Sequence, residues 1–223
     1  ALAVGRRLAA TGPASVVVDL DLRRGGLEVT AGTEHLPGRR WDDLREVRGR
    51  LPPGALPAGL PHEDGVHVLS VRGGATGEVS DAAVLAVLGC LAAGSARLVL
   101  DLPLWSPAVP AVLALGPLVV LLSGLRTRAL ADADAAVTFL LDQAEAHPTS
   151  IDLRLISRGP RARAEVLDDV VAHLGISHLH HLGDDPLVPR DAERGLFPGI
   201  VRDEVRRCAD AVVAVVDDVA QAS

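Results

Sequence analysis

The chain has 223 residues, a formal net charge of −7, 48% hydrophobic and 23% charged residues. That balance belongs to a globular protein and excludes a disordered one, while the acidic excess argues against a nucleic-acid coat. All 22 basic residues are Arg, aromatic residues make up 2%, and the two cysteines, Cys90 and Cys208, lie in no CxxC pair, which excludes a disulfide framework. Leu2 to Ala10 reads as the end of a helix, stopped by Gly12 and Pro13. The chain is therefore expected to begin inside a domain, with no signal-peptide pattern at its start. Ser15–Leu20 (SVVVDL) is β-branched and apolar on both faces, as in a buried strand. Residues 23–64 are rich in Gly, Pro and charge, with a helical patch near Trp41–Gly49. Val66–Val71 is a second strand, Ser80–Ala93 a helix with Ser80 as N-cap, and Arg97–Leu102 (RLVLDL) a third strand. Leu118–Leu122 and Ile151–Ile156 are the fourth and fifth strands, with a long helix over Thr127–Ala146 between them. Arg163–Leu174 is a helix, Ser177–Leu182 a sixth strand, and Pro198–Val219 mostly helix.

Buried strands alternating with helices predict an α/β fold in three layers, a mostly parallel sheet of about six or more strands flanked by helices. No linker or repeat divides the chain, so one domain over residues 1–223 is expected. Ala108–Leu125 is apolar for nearly a bilayer span, but Pro110, Gly116 and Pro117 interrupt it, and a buried helix-turn-strand is the better reading.

Two strand ends could carry chemistry. In VVVDLDLRRGG, residues 16–26, an apolar strand ends in Asp19, and Asp21 follows on the same side of an extended segment. Two carboxylates there can hold a Mg²⁺ shell or orient a water; the bland alternative is a solvated strand end before a turn at Gly25–Gly26. In LVLDLP, residues 98–103, a strand ends in Asp101, the pattern of an acid that holds Mg²⁺ through water. Ligands of parallel α/β sheets sit beyond such carboxyl ends. Other groups are weaker. His178 and His180, two apart on a strand, would share a face and could bind Zn²⁺, with His181 and His173 nearby, but no familiar ligand set is complete. Gly73–Gly77 lacks dinucleotide-loop spacing. Ser106 and Ser157 have no local partner for hydrolase chemistry. Arg23–Arg24 and Arg39–Arg40 could meet phosphate or a partner, though solvated turn charges fit them better.

DLDLRRGGLEVTAG, GRRWDDLREVRGRL, HVLSVRGG and LVLDLP, in this order, resemble the ParA/MinD group of P-loop ATPases, and more narrowly its CpaE-like, septum site-determining branch. Trp41–Leu44 falls where that branch carries its Trp-x-Asp-Leu segment. RLISRGP and LGDDPLVPRDAERGLFPG extend the resemblance over nearly the whole chain. It implies a P-loop NTPase fold whose phosphate-loop strand lies outside these residues, and the cofactors ATP and Mg²⁺. It implies that Asp21 positions the attacking water as the catalytic acid, that Asp19 belongs to the cofactor site, and that Asp101 is a second-shell Mg²⁺ partner. It also places Arg158 and Pro160 near the nucleotide base. The partners implied are a second copy, in a homodimer formed on nucleotide binding, and proteins of the division or secretion/pilus machinery. The role implied is ATP-dependent placement of a septum or pilus machine, in the cytoplasm, with recruitment to membrane or pole through a partner. The departures are physical: no Lys occurs anywhere, so these residues hold no P-loop cation, and there is no Asn to read adenine. ATP hydrolysis by this chain alone is not expected. A nucleotide-free scaffold of the same fold and a Rossmann- or flavodoxin-like binder remain as alternatives. The C-terminal segment has Val201, Val205, Cys208 and Val212 at helical spacing, but Asp210, Asp217 and Asp218 oppose an anionic membrane, so this helix is expected to pack on the sheet.

Overall fold

The computed structural model describes residues 1–23, 26–73, 79–94, 97–148, 150–200 and 203–222. Arg24, Gly25, most of the Gly73–Gly77 stretch and Val201, all named above, lie outside the described residues. The chain divides into two compact units: residues 1–108 with 186–209, and residues 109–185 with 210–223.

In the first unit the helix α1 (Leu2–Thr11) leads into the strand β1 (Ser15–Asp19), whose five residues are all buried. A Cβ on Gly5 would clash with the Val17 side chain, so glycine is what lets α1 approach β1 this closely. The Ser15 hydroxyl donates to the Gly5 carbonyl at 2.7 Å and fixes the same contact. After β1 come the short helices α2 (Leu27–Ala31) and α3 (Trp41–Leu44), a 3-10 turn at Pro57–Gly59, and the strands β2 (His62–Glu63) and β3 (Val66–Leu69). The helix α4 (Asp81–Ala92) follows, with the Ser80 hydroxyl accepting from the Ala83 amide at 3.3 Å, and then the strand β4 (Arg97–Asp101). Hydrogen bonds join these strands in the order β2-β3-β1-β4. β1 runs parallel to β3 and β4, and β2 antiparallel to β3. Leu2, Val17, Ala31, Val66, Val68 and Phe197 form a core beneath the sheet.

In the second unit the short helix α5 (Val109–Leu113) precedes the strand β5 (Leu118–Gly124). The apolar Ala108–Leu125 stretch is thus a helix, a turn at Gly116 with φ +64°, and a strand. No helix among the described residues is long and apolar enough to cross a membrane. The helices α6 (Thr127–Glu145) and α7 (Ala164–Leu174) alternate with the strands β6 (Asp152–Gly159) and β7 (Ser177–Gly183). β5, β6 and β7 form a parallel sheet in chain order. The helix α8 (Leu187–Ala192) belongs to the first unit, and the helix α9 (Glu204–Ala222) closes the chain.

The protein is α/β, with parallel sheets flanked by helices. Three details depart from the sequence reading. The six expected strands lie in two hydrogen-bonded sheets, not one, and the first gains the antiparallel β2. The helical patch at Trp41 is a single turn, Trp41–Leu44. The last helix starts at Glu204, not Pro198, because Asp203 caps it: its carboxylate accepts from the Arg206 amide at 2.7 Å. That helix buries Cys208, Ala209, Val212 and Val213, so its apolar stripe faces protein.

Candidate functional site

The site is built outward from β1. Val16, Val17 and Val18 are fully buried, so the strand carries Asp19 into the interior, where it is 2% exposed. One carboxylate oxygen accepts from the Asp21 amide at 3.0 Å. The other accepts from the Leu27 amide at 2.9 Å and the Ser70 hydroxyl at 2.8 Å. Burial pushes this carboxyl above the usual carboxylate range; the three donors oppose the shift, and the charge of Asp101 adds to it. Asp19 therefore ties together the exit of β1, the start of α2 and the exit of β3. Its backbone carbonyl accepts from the Trp41 indole N–H at 2.8 Å, and Trp41 is wholly buried.

Asp101 is the register partner of Asp19 across β1 and β4, and its carbonyl accepts from the Leu20 amide at 2.9 Å. Asp19, Asp21 and Asp101 therefore stand at one carboxyl edge, Asp21 half-buried and Asp101 exposed. Both oxygens of Asp19 are committed to protein donors, so its carboxylate shapes the edge. Beside it lies an open cleft of about 230 Å³, lined by Leu20, Leu22, Arg23, Asp81, Trp105 and Ser106 among others.

A second buried group braces this edge. Arg40, read from sequence with Arg39 as a solvated turn charge, is 2% exposed. Its guanidinium meets Glu28 at 2.5 Å and donates to the carbonyls of Gly38, Thr33 and Leu36 at 2.9, 3.0 and 3.1 Å. The other Glu28 oxygen accepts from the Gly73 amide at 3.1 Å. Asp43 accepts from the Arg40 amide at 2.8 Å, and Asp42 from the Arg72 amide at 3.0 Å. The Trp-Asp-Asp-Leu segment thus holds the loops after β1 and β3 against each other. Sequence reading missed Glu28, Arg40 and Ser70.

In the second unit, Arg158 and Pro160 lie at the carboxyl end of β6, both exposed. Gly159 between them has φ +128°, a conformation that favours glycine. The neighbouring Ser157 is fully buried, and its hydroxyl lies 2.9 Å from His178 Nε2 and 2.9 Å from His181 Nδ1. His181 Nε2 lies 3.1 Å from the Pro160 carbonyl oxygen. The strand-face pairing of His178 with His180 is corrected here. Between Leu155↔His178 and Ile156↔His180 the register slips by one residue, so Leu179 is extra. A bulge reverses the alternation beyond it, and His178 meets His181 at Ser157 instead. Burial, then the neighbouring His181 and His180, lower the pKa of His178.

Among the described residues no three His, Cys, Asp or Glu side chains gather to hold a metal ion. A cation held through water by Asp101 fits this edge. A phosphate cradle built on Lys does not, because the 223 residues contain none.

No protein-family model matches the chain. Two proteins of Mycobacterium tuberculosis described as uncharacterized, one from each of two strains, are 34% identical over 183 residues, 81% of this chain and 50% of theirs. The chain spans about half the length of these curated relatives. Among solved structures, the MinD cell division protein of Aquifex aeolicus superposes with a TM-score of 0.70 at 15% identity, over 97% of this chain and 89% of that one. A ParA family ATPase of Chlorobium tepidum gives 0.68 at 16% identity, over 93% and 90%. A chain of the MinC:MinD cell division protein complex of Aquifex aeolicus gives 0.67 at 13%, over 97% and 88%. At these identities the likeness is one of fold: the chain has the ParA/MinD-type fold.

Proposed function

We propose that this chain is part of a MinD/ParA-like, ATP-binding regulator that places a septum or a pilus/secretion machine, degenerate or truncated at the phosphate loop. The observation that carries the reading is the edge itself. Asp19 and Asp101 end β1 and β4 as register partners, with Asp21 two residues past Asp19, at the carboxyl edge where ligands of parallel α/β proteins bind, in a chain that follows MinD over 97% of its length.

In this reading ATP with Mg²⁺ supplies the transferable phosphoryl group and its counter-charge. Asp101 would hold the hydrated cation through a water. Asp21 would orient the attacking water, on a backbone fixed by Asp19. Arg158 and Pro160 would lie against the base. The one-domain organisation over residues 1–223 and a homodimer formed on nucleotide binding belong to the same proposal. So do cytoplasmic location and recruitment to a membrane or pole through a partner. The MinC:MinD complex supports a protein partner, since it is a neighbour of the same fold.

The test is Mg-ATP binding and phosphate release by the full-length protein. Asp21→Asn and Asp101→Asn should each lower turnover about a hundredfold or more while binding persists. Residues 1–223 alone should bind Mg-ATP weakly or not at all, having no Lys to meet the β-phosphate; micromolar affinity by calorimetry would show that phosphate is held in another way. A full-length protein that binds no nucleotide would favour the nucleotide-free scaffold.

A further inference from the structure

Residues 62–67 read His-Glu-Asp-Gly-Val-His, and the turn between β2 and β3 brings the two histidines together. Asp64 and Gly65 have φ of +48° and +79°, the left-handed pair that a two-residue hairpin needs, and Asp-Gly is a favoured sequence for it. Arg6 of α1 holds the turn through the Asp64 carboxylate at 2.7 Å. The register pairs Glu63 with Val66 and His62 with His67. The Val68 amide donates to the Pro61 carbonyl at 2.9 Å, so the next pair, His62 and His67, stands between ladder hydrogen bonds. Antiparallel strands approach most closely at such a pair, and its side chains are nearest neighbours. The two ring centres are 5.3 Å apart.

The inner ring offers a lone pair. His67 Nδ1 is buried and has no hydrogen-bond partner, an unfavourable state for a polar atom. The Pro57 carbonyl accepts from the same ring. Nδ1 is unpartnered, so the donor is Nε2, and Nδ1 of the neutral ring keeps its lone pair. A histidine that ligates a metal commonly donates its other N–H to a backbone carbonyl in this way. Burial, then the neighbouring His62, lower the His67 pKa, which favours the neutral imidazole that a cation requires. His62 is exposed, so its ring can turn to meet the same ion.

We propose that His62 and His67 form a two-histidine site for a late first-row divalent cation of the Zn²⁺ or Ni²⁺ type, which clamps the edge strand β2 to β3. Two imidazoles bound about 2 Å from one tetrahedral ion have centres about 5 Å apart, close to the spacing of this pair. Imidazole suits Zn²⁺ and Ni²⁺, whereas Mg²⁺ takes oxygen ligands. Glu63 alternates to the other face of the strand, and among the described residues no third His, Cys, Asp or Glu joins the pair, so water fills the remaining positions. The ion would link the two strands where the ladder is shortest, since β2 has two residues. The site is separate from the acidic edge: His67 stands beside Val16, near the start of β1, and Asp19 ends that strand.

The experiment titrates Zn²⁺ into the full-length protein by calorimetry, with Mg²⁺ in excess, for wild type, His62→Ala, His67→Ala and the double variant. Each single variant should lose about tenfold or more in Zn²⁺ affinity, and the double variant should lose little beyond either, because a chelate fails when one arm is gone. His62 is exposed, so its removal leaves the core intact. Unchanged affinity in either single variant overturns the inference. So does wild-type binding that excess Mg²⁺ abolishes, which would put the ion on carboxylates. A second measurement needs no variant to fold. Substoichiometric Ni²⁺, which is paramagnetic, should broaden the ring signals of His62 and His67 before those of His178, His180 and His181. Broadening that begins at other histidines overturns the inference.

Discussion

The carboxyl ends of β1 and β6 face the same problem and solve it with opposite electrostatics. Each is the strand end where a loop must be held in one place, and each buries a polar side chain there. At β1 the hub is the Asp19 carboxylate, with three donors and a braced ion pair behind it. At β6 the hub is the Ser157 hydroxyl, between two histidines. The first hub places a charge in the interior, which costs free energy that hydrogen bonds only partly offset. The second is neutral and costs less, but its direction depends on which histidine nitrogens carry protons.

The ion pair behind the first hub gives the sharpest way to break this contrast. Arg40 and Glu28 are 2% and 3% exposed, so Arg40→Leu strands a buried carboxylate. Unfolding free energy should fall by about 3–5 kcal/mol, the usual effect of removing one partner of such a pair. Urea titration measures it, and a loss below about 1 kcal/mol would mean that water reaches Glu28.

Close packing at the same edge gives a smaller effect. A Cβ on Gly26 would press on the Val71 carbonyl oxygen and the Ser70 hydroxyl. Gly26→Ala should cost about 1–3 kcal/mol, the range for overpacking, and should weaken the Ser70 bond to Asp19. Thermal unfolding checks the stability. Gly26→Ala with wild-type stability would mean that the backbone moves aside freely.

The second hub should yield less. Ser157→Ala removes both contacts at 2.9 Å, but the histidines are only half-buried and can turn to water. A loss of about 1 kcal/mol is expected, with the His181 tautomer no longer fixed in nitrogen-15 spectra. A loss as large as that of Arg40→Leu would erase the distinction between the two edges.

These same residues show what the chain displays before it folds. β1, β3 and β4 to β7 were legible because β-branched and Leu-rich runs sit between helices and turns, and α4 because Ser80 caps it. The acidic edge was legible because an apolar run ending in Asp puts the acid where the strand leaves the sheet. Arg40 was not, since it pairs with Glu28 12 residues away across an irregular loop, where no periodicity applies. Ser70 reaches Asp19 over a separation of 51 residues. The bulge at Leu179 was hidden for another reason: SHLHHL alternates well enough as a regular strand, and only the pairing with β6 shows that one residue is extra. The division of the strands between two sheets depends on pairing as well.

The smallest expected effect sets the two edges directly against each other. Burial raises the Asp19 pKa above its ordinary 3.8, so the folded chain holds that proton more tightly than the unfolded chain. Its contribution to stability is complete below 3.8 and is lost as pH rises through the folded value. Burial and two neighbouring histidines lower the His178 pKa below its ordinary 6.5. Its contribution is complete above 6.5 and is lost as pH falls through the folded value. Between these limits the two edges tilt the stability curve in opposite directions, so wild type should be flatter than either hub alone would make it. Difference curves isolate each term, because the other carboxylates cancel. Urea unfolding across this range should show wild type losing ground to Asp19→Asn as pH rises. Wild type should gain on His178→Gln over the same rise. If both differences slope the same way, the charged and neutral edges are not the electrostatic opposites that their hydrogen bonds describe.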